Sequence, residues 1–331
     1  MGRRRRREDP AAPGAARGER VAASAARGRG RAGGAAADGP ERGRGPAAAG
    51  LTAPRRGRCG VTRKLKNRYG LTKDPFSKDV PVDELYLHPG AEAALARLKA
   101  TLQGRRSGVL TGDPGVGKTF VIRALEANLL ESRFRVTYVH NSTVNLRDFY
   151  RQLSQLLGLE PRSTPSALFR AIRTHIEEIS AQKVHPVLVL DEAHLTQVQV
   201  LEHLHILLNF DRDSKPLLSL VLVGLPSLRD RLQRNVLASL AARLPVRAHL
   251  EPLDAERTGA YVRHRLEAAG CVEEVFAEDA ILLIAEATGG VLRKVDVLAS
   301  TALDVVCNGR SKLVDASVVE EAVKLCAEAL V

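Results

Sequence analysis

From Tyr69 onward the chain alternates between short runs of branched apolar residues and longer segments whose apolar positions recur every three or four residues. The first pattern suits strands buried on both faces, and the second suits helices that bury one stripe. Their alternation predicts a parallel sheet, because parallel neighbours are joined by a crossover that is usually a helix. Strands are expected at residues 108–111, 135–140, 187–190, 218–223 and 246–250. Helices are expected at 118–130, 146–157, 166–181 and 198–209. Thr164 stands where an N-cap is needed, and Pro165 takes the first helical position, where a missing N–H is no loss. Beyond Pro252 the strand pattern stops. Residues 254–269, 278–287, 292–307 and 316–330 read as four helices, with Asp254 and Asp315 as N-caps. The expected class is α/β: an αβα sandwich over 63–250 on a parallel five-stranded sheet, followed by a small all-α lid over 251–331. No internal repeat interrupts this order.

Residues 1–62 break the pattern. Up to residue 60 they are almost entirely Arg, Ala, Gly and Pro, too poor in apolar side chains to offset ordering entropy, so a disordered tail is expected. Two origins stay open for it. It is either a natural tail able to bind nucleic acid non-specifically through counterion release, or translated sequence upstream of the true start, Met1 being the only methionine. The tail also accounts for the charge. The chain carries +12 from 50 basic and 38 acidic residues, but 15 arginines and 5 acidic residues fall in residues 1–60, which leaves +2 for 61–331. The body is close to neutral, and the high pI says little about what it touches. The four cysteines, Cys59, Cys271, Cys307 and Cys326, show no C-x-x-C spacing and suggest neither a zinc site nor a disulfide framework. The best apolar runs, 217–225 and 280–285, are far below the roughly 18 residues that read as a membrane span. No apolar stretch follows the N-terminal arginines, so a secretory leader is not expected. A cytoplasmic protein without a membrane span is the expectation.

The chemistry lies in two motifs. Gly112-Asp113-Pro114-Gly115-Val116-Gly117-Lys118-Thr119 fits G-x-x-x-x-G-K-[ST] and falls between an expected strand and an expected helix, where the mechanism needs it. The glycines let backbone N–H groups turn toward phosphate oxygens at a helix N-terminus, which also favours negative charge. Lys118 would reach the β- and γ-phosphates of ATP, and the Thr119 hydroxyl would bind Mg²⁺. We assign the loop through Phe120 to the nucleotide. The second motif is Asp191-Glu192-Ala193-His194, which ends a buried aliphatic strand. Asp191 is placed as a Walker B carboxylate beside the Mg²⁺ shell, and Glu192 is placed to orient the attacking water. The same four letters spell a helicase box, but no other helicase motif accompanies them, and His194 reads as incidental. His203 and His205 lie in an apolar helix and read as packing or surface residues.

Phosphoryl transfer also needs cations near the developing charge. Arg243, just before the fifth strand, stands where an arginine finger offered to a neighbouring subunit would sit. Arg293, after Gly289-Gly290, could fold onto the nucleotide of its own chain. From spacing alone either arginine reads more readily as part of a solvated helix face than as a catalytic cation. Asn141, at the end of the second strand, could hydrogen-bond Glu192 and hold it off the water, or could simply open the next helix.

Together with these motifs, the lead-in Tyr69-Gly-Leu-Thr-Lys-Asp-Pro-Phe76 and Leu85-Tyr-Leu-His-Pro89, Asn209-Phe-Asp-Arg-Asp-Ser214, Val223-Gly-Leu-Pro226, Leu240-Ala-Ala-Arg243 and Gly289-Gly-Val-Leu-Arg293 have a familiar arrangement. Over residues 69–331 the chain resembles the ExeA-like AAA+ ATPases, the family of general secretion pathway protein A, related to the transposition ATPases TniB and MuB. The resemblance implies Phe76 and Leu87 as adenine contacts, Arg243 as the finger and Arg293 as sensor 2. One position departs from it. Similar members carry a polar sensor 1 residue, often Gln, where this chain has Leu225, which implies slow hydrolysis or a substitute such as Ser227. Two roles follow from the resemblance: a DNA-linked regulator that recruits or activates a transposase, or a secretion-type ATPase of envelope assembly. The secretory members continue past the lid into a membrane span and a peptidoglycan-binding region. This chain stops at Val331, so the DNA-linked role is the expectation. A regulatory ATPase with protein partners only is a third reading. In each case hydrolysis completed by Arg243 of a neighbour implies a homo-oligomer.

Overall fold

Each aliphatic run becomes a strand of one sheet in the computed structural model, which describes residues 63–140, 143–308 and 312–330. The strands are β1 (Gly108–Gly112), β2 (Phe134–Val139), β3 (His185–Leu190), β4 (Ser219–Gly224) and β5 (Val246–Leu250). They lie in the order β2-β3-β4-β1-β5, every pair parallel. The three inner strands are buried at all positions, whereas the edge strands β2 and β5 are only partly covered. That is why β1, β3 and β4 read as continuous apolar runs and the edges do not.

Successive side chains face opposite sides of the sheet. Val109, Leu188, Leu190, Leu220 and Leu222 point to the layer of α4 (Leu146–Leu156), α5 (Pro165–Ala181) and α6 (Val198–Leu207). Leu110, Val187, Val189, Val221 and Val223 point to α2 (Pro89–Gln103) and α3 (Lys118–Ala127). In β4 the four residues Leu220 to Val223 are each 0% exposed. Burial at about 1.5–3 kcal/mol per side chain makes this one strand worth on the order of 10 kcal/mol before ordering entropy is counted. The caps sit where the side chains allow: Thr164 Oγ1 accepts from the Ala167 N–H at 3.2 Å, and Asp254 Oδ1 accepts from that of Arg257 at 2.8 Å. Asp315 Oδ1 accepts from the Val318 N–H at 3.1 Å. Helix α2 was not expected; its buried stripe begins with Ala91 and Ala94, and only Leu98 and Leu102 mark it strongly. Two short helices, α7 (Ser227–Leu232) and α8 (Ala238–Ala242), separate β4 from β5.

After β5 come four helices: α9 (Ala255–Ala268), α10 (Glu278–Thr288), α11 (Leu292–Asn308) and α12 (Ala316–Leu330). They share a core with the lead-in, including Leu65 and Tyr69 of α1 (Arg63–Tyr69), Leu71 and Phe76. Polar contacts tie the two together. Tyr69 donates its hydroxyl to the Lys312 carbonyl at 2.8 Å, and buried Arg265 donates to the carbonyls of Pro75 and Ser77, both at 2.6 Å. By packing, residues 65–76 therefore sit with the helical region, although a boundary at 250 groups them with the sheet. No described helix is long and apolar enough to cross a membrane.

Candidate functional site

In a parallel sheet the loops that follow the strands all emerge at one end. Here the loop after β1, the Asp191-Glu192 pair after β3 and Leu225 after β4 gather at that end, with β4 lying between β1 and β3. The loop after β1 is shaped by glycines that nothing else could replace. Gly115 and Gly117 have φ of +85° and +98°, which L side chains rarely adopt, and a Cβ on Gly112 would meet the Leu250 carbonyl oxygen at 2.8 Å. Gly117 caps α3, so Lys118 and Thr119 open that helix. Lys118 is buried, and its Nζ donates to the carbonyls of Gly112 and Asp113, both at 2.9 Å. Burial pushes the Lys118 pKa below its ordinary value, while the carboxylates of Glu192, Asp191 and Asp113 pull it back up. Thr119 is exposed at the same turn, and Asp113 and Pro114 are exposed in the loop.

Asp191 continues the β3 ladder, its N–H bonded to the Val139 carbonyl at 3.0 Å. Its carboxylate is held on both oxygens. Oδ1 accepts the Glu192 N–H at 2.8 Å, and Oδ2 accepts the hydroxyl of Tyr138 on the neighbouring strand. Sequence reasoning missed Tyr138. The register pairs Tyr138 with Val189, and Asp191 lies two positions beyond Val189 on the same face, within reach of a long aromatic side chain. Burial and the Asp191 carboxylate push the Tyr138 phenol far up, so it is a donor at neutral pH. Glu192 adopts φ +49°, a left-handed conformation that costs an L-residue on the order of 1 kcal/mol or more and that clusters at functional sites. Its Oε2 lies 3.4 Å from Nδ1 of His194, a residue that sequence reasoning set aside.

Arg293 joins the group from the helical region. Its backbone N–H donates to the Gly115 carbonyl at 3.2 Å, and a Cβ on Gly115 would stand 2.8 Å from the Arg293 Cβ. The side chain of Arg293 is exposed. Leu292 packs as closely on the loop, with its Cδ1 2.9 Å from a Cβ placed on Gly117. Behind this contact, Gly290 (φ +70°) lies against Leu253, where a Cβ would come within 1.8 Å of the Leu253 carbonyl oxygen, so the hinge into α11 admits only glycine.

Other expected residues lie elsewhere. Arg243 precedes β5, at the end of the sheet opposite the phosphate loop. Its guanidinium donates to Asp213 Oδ2 at 2.8 Å and to the Ser239 carbonyl at 3.3 Å, while its buried Nε has no hydrogen-bond partner among the described residues. Phe76 is buried in the helical core, edge-on to Phe276 with ring centroids 6.5 Å apart. Leu87 and Phe120 are half-buried against the small cluster of Val80, Leu85 and Ala124, and Phe120 also borders the helical core. Ser227 opens α7 and is exposed. His203 packs edge-on against Tyr150 at 6.1 Å. Asn141 lies outside the described residues.

The residues present fit a nucleotide and its cation. The loop after β1 has left-handed glycines and a buried ammonium held on its carbonyls, the means by which such loops meet phosphates. A carboxylate and a helix-N-terminal hydroxyl, Asp191 and Thr119, supply hard oxygen ligands of the kind Mg²⁺ takes.

Residues 100–232 match a family model described as an AAA domain. General secretion pathway protein A of Aeromonas hydrophila is 34% identical over 238 residues, covering 71% of this chain and 43% of that protein. The chain thus spans less than half the length of that curated relative. Among solved structures, Cdc6p from Pyrobaculum aerophilum matches with a TM-score of 0.62 and 20% identity, over 77% of this chain and 71% of that one. A structure of Drosophila ORC bound to DNA matches with a TM-score of 0.57 and 19% identity, over 84% and 70% of the two chains. At these identities the structures share a fold, and the DNA in one of them is not a property of this chain.

Proposed function

This chain is an ExeA-like AAA+ P-loop protein, and on that premise we propose that it hydrolyses ATP slowly, as a partner-controlled switch in secretion or envelope assembly. What supports hydrolysis is the convergence of Lys118, Asp191, Glu192 and Arg293 on the glycine loop of residues 112–119. ATP lies between the sheet and the helical region, with Leu87 and Phe120 toward the base and Gly112 to Thr119 around the phosphates, while Phe76, buried in the helical core, is not assigned to the base. Lys118 leaves the carbonyls of Gly112 and Asp113 for the β- and γ-phosphate oxygens. Thr119 and Asp191 would hold Mg²⁺, which would offset the charge of the phosphates. Glu192 orients the water for in-line attack and takes its proton. Arg293, on the helix that touches the loop, senses the nucleotide from the same chain.

Arg243 cannot serve its own site, because it lies at the opposite end of the sheet. It serves the site of a neighbouring copy in a homo-oligomer. Its buried Nε has no acceptor among the described residues, and leaving such a donor unmatched costs about 1–3 kcal/mol.

The partner is a secretion or envelope component. The curated relative is named for a secretion pathway, and since this chain covers 43% of it, the position of Val331 does not favour the DNA-linked role. A transposase and duplex DNA are therefore not assigned as partners.

The test is ATP turnover by the full chain, with Lys118→Ala as the blank, with and without duplex DNA in enough salt to suppress binding by the arginine tail. Turnover above the blank and indifferent to DNA is expected. No turnover above the blank overturns hydrolysis, many turnovers per second contradict the switch, and a several-fold rise with DNA restores the DNA-linked role.

A further inference from the structure

His194 side chain is 10% exposed and lies between two elements of the site. Its Nδ1 is 3.4 Å from the backbone nitrogen of Leu225, at the end of β4, and 3.4 Å from Glu192 Oε2. The first neighbour is a donor and the second an acceptor. A neutral imidazole nitrogen carries either a proton or a lone pair, so it answers one of the two and not both. With a lone pair on Nδ1, the Leu225 N–H is satisfied and the Glu192 carboxylate is repelled. With a proton there, Glu192 is held and the Leu225 N–H is left without its acceptor.

The position of the ring is over-determined. The Arg231 guanidinium donates to the His194 carbonyl and, at 2.5 Å, to that of Thr196, which fixes the turn after Asp191 and Glu192. Gly224 gives the ring its room, for a Cβ there would lie 3.2 Å from both the His194 nitrogen and Nδ1. Burial lowers the His194 pKa; Glu192 and Asp191 raise it, and Lys118 and Arg231 lower it, so the ring is neutral at pH 7 and has a single proton to place.

We infer that His194 is a positioning residue for Glu192, and that its Nδ1 couples the orientation of that carboxylate to the end of β4. This deepens the ATPase reading, on which its kinetic test rests. Leu225 has no polar side chain with which to sense the nucleotide, but its backbone N–H competes for the nitrogen that orients Glu192. A small shift of the β4 end toward His194 turns the lone pair to Leu225 and releases Glu192, and a shift away does the reverse.

The experiment uses three variants of the full chain. Asn places its amide where the Nδ1 of His would be, whereas Gln places it nearer Nε2. His194→Ala and His194→Gln are expected to lower kcat about 10-fold or more, the range for groups that orient a catalytic or metal-binding residue, with nucleotide Kd within about twofold. His194→Asn is expected to stay within about threefold of wild type. An unaffected His194→Ala, or an equal loss in all three, overturns the inference. A second measurement does not need turnover: ¹⁵N chemical shifts of labelled histidines in wild type and Glu192→Ala, with His194 assigned by its loss in His194→Asn. Removing the carboxylate should move the His194 tautomer toward Nε2–H, and unchanged ring shifts overturn the inference. If wild type proves inactive while those shifts move, hydrolysis is what fails and the positioning role stands.

Discussion

The two ends of the sheet solve opposite problems. At the carboxyl end, Lys118, Asp191, Glu192, Tyr138 and Arg293 meet within one chain, and each has partners there. At the amino end, Arg243 and Asp213 face one another from the segments that lead into β5 and β4. The backbone under Asp213 is strained, with Asp211, Arg212 and Asp213 at φ of 47°, 55° and 69° in succession. Such residues cost on the order of 1 kcal/mol each and persist only where the surroundings over-determine them. Arg173 braces the two residues just before them, its guanidinium 4.4 Å from the centre of the Phe210 ring and one nitrogen donating to the Asn209 carbonyl at 2.7 Å. One end is organised for a ligand of its own. The other is organised around a cation, Arg243, that pairs with Asp213 and keeps one buried donor unmatched among the described residues.

The largest effect should come from joining the two ends. Arg243→Ala is expected to reduce turnover about 10³-fold or more, the range for arginine fingers, with nucleotide affinity essentially unchanged. Turnover plotted against protein concentration checks it, since a finger acting between chains gives a rate that rises faster than linearly. A fully active Arg243→Ala would break the comparison, because the amino end would then have no part in the chemistry.

Within the carboxyl end, Tyr138→Phe removes the donor on Asp191 and little else. Groups that hold a metal-binding carboxylate from outside typically contribute 10–100-fold in metal affinity or activity. The Mg²⁺ concentration for half-maximal turnover should therefore rise about 10-fold, with a smaller change in kcat at saturating Mg²⁺. An unchanged Mg²⁺ requirement would reduce Tyr138 to packing between β2 and β3.

These cases separate what the sequence discloses from what it hides. Residues 112–119 and 187–192 were legible because each motif is contiguous and the aliphatic runs mark the strands that carry them. The caps at Thr164, Asp254 and Asp315 were legible for the same reason, being bonds across three residues. Tyr138 was not, since its bond to Asp191 spans 53 positions and depends on the β2–β3 register. His194 was visible but uninterpretable until β4 came to rest against it, 31 positions away. Phe76 sits in the helical core because Tyr261, Phe276 and Arg265, nearly 200 positions later, fold around it, and no local pattern announces that.

The smallest effect tests the amino end by itself. The Arg243–Asp213 pair is partly exposed, and exposed ion pairs are worth about 0.2–1 kcal/mol. Asp213→Asn removes the charge while keeping a residue that tolerates the left-handed backbone. If Asp213 competes with a neighbour's phosphates for Arg243, releasing that hold should lower the protein concentration for half-maximal turnover, by at most about five-fold, as 1 kcal/mol corresponds to that factor. If Asp213 instead holds the guanidinium in its working pose, the same variant should lose turnover. The direction alone decides which, and it does so without touching the nucleotide site. Salt sharpens the reading, because screening weakens an exposed pair: the difference between Asp213→Asn and wild type should shrink as ionic strength rises toward 1 M, where the Debye length is about 3 Å.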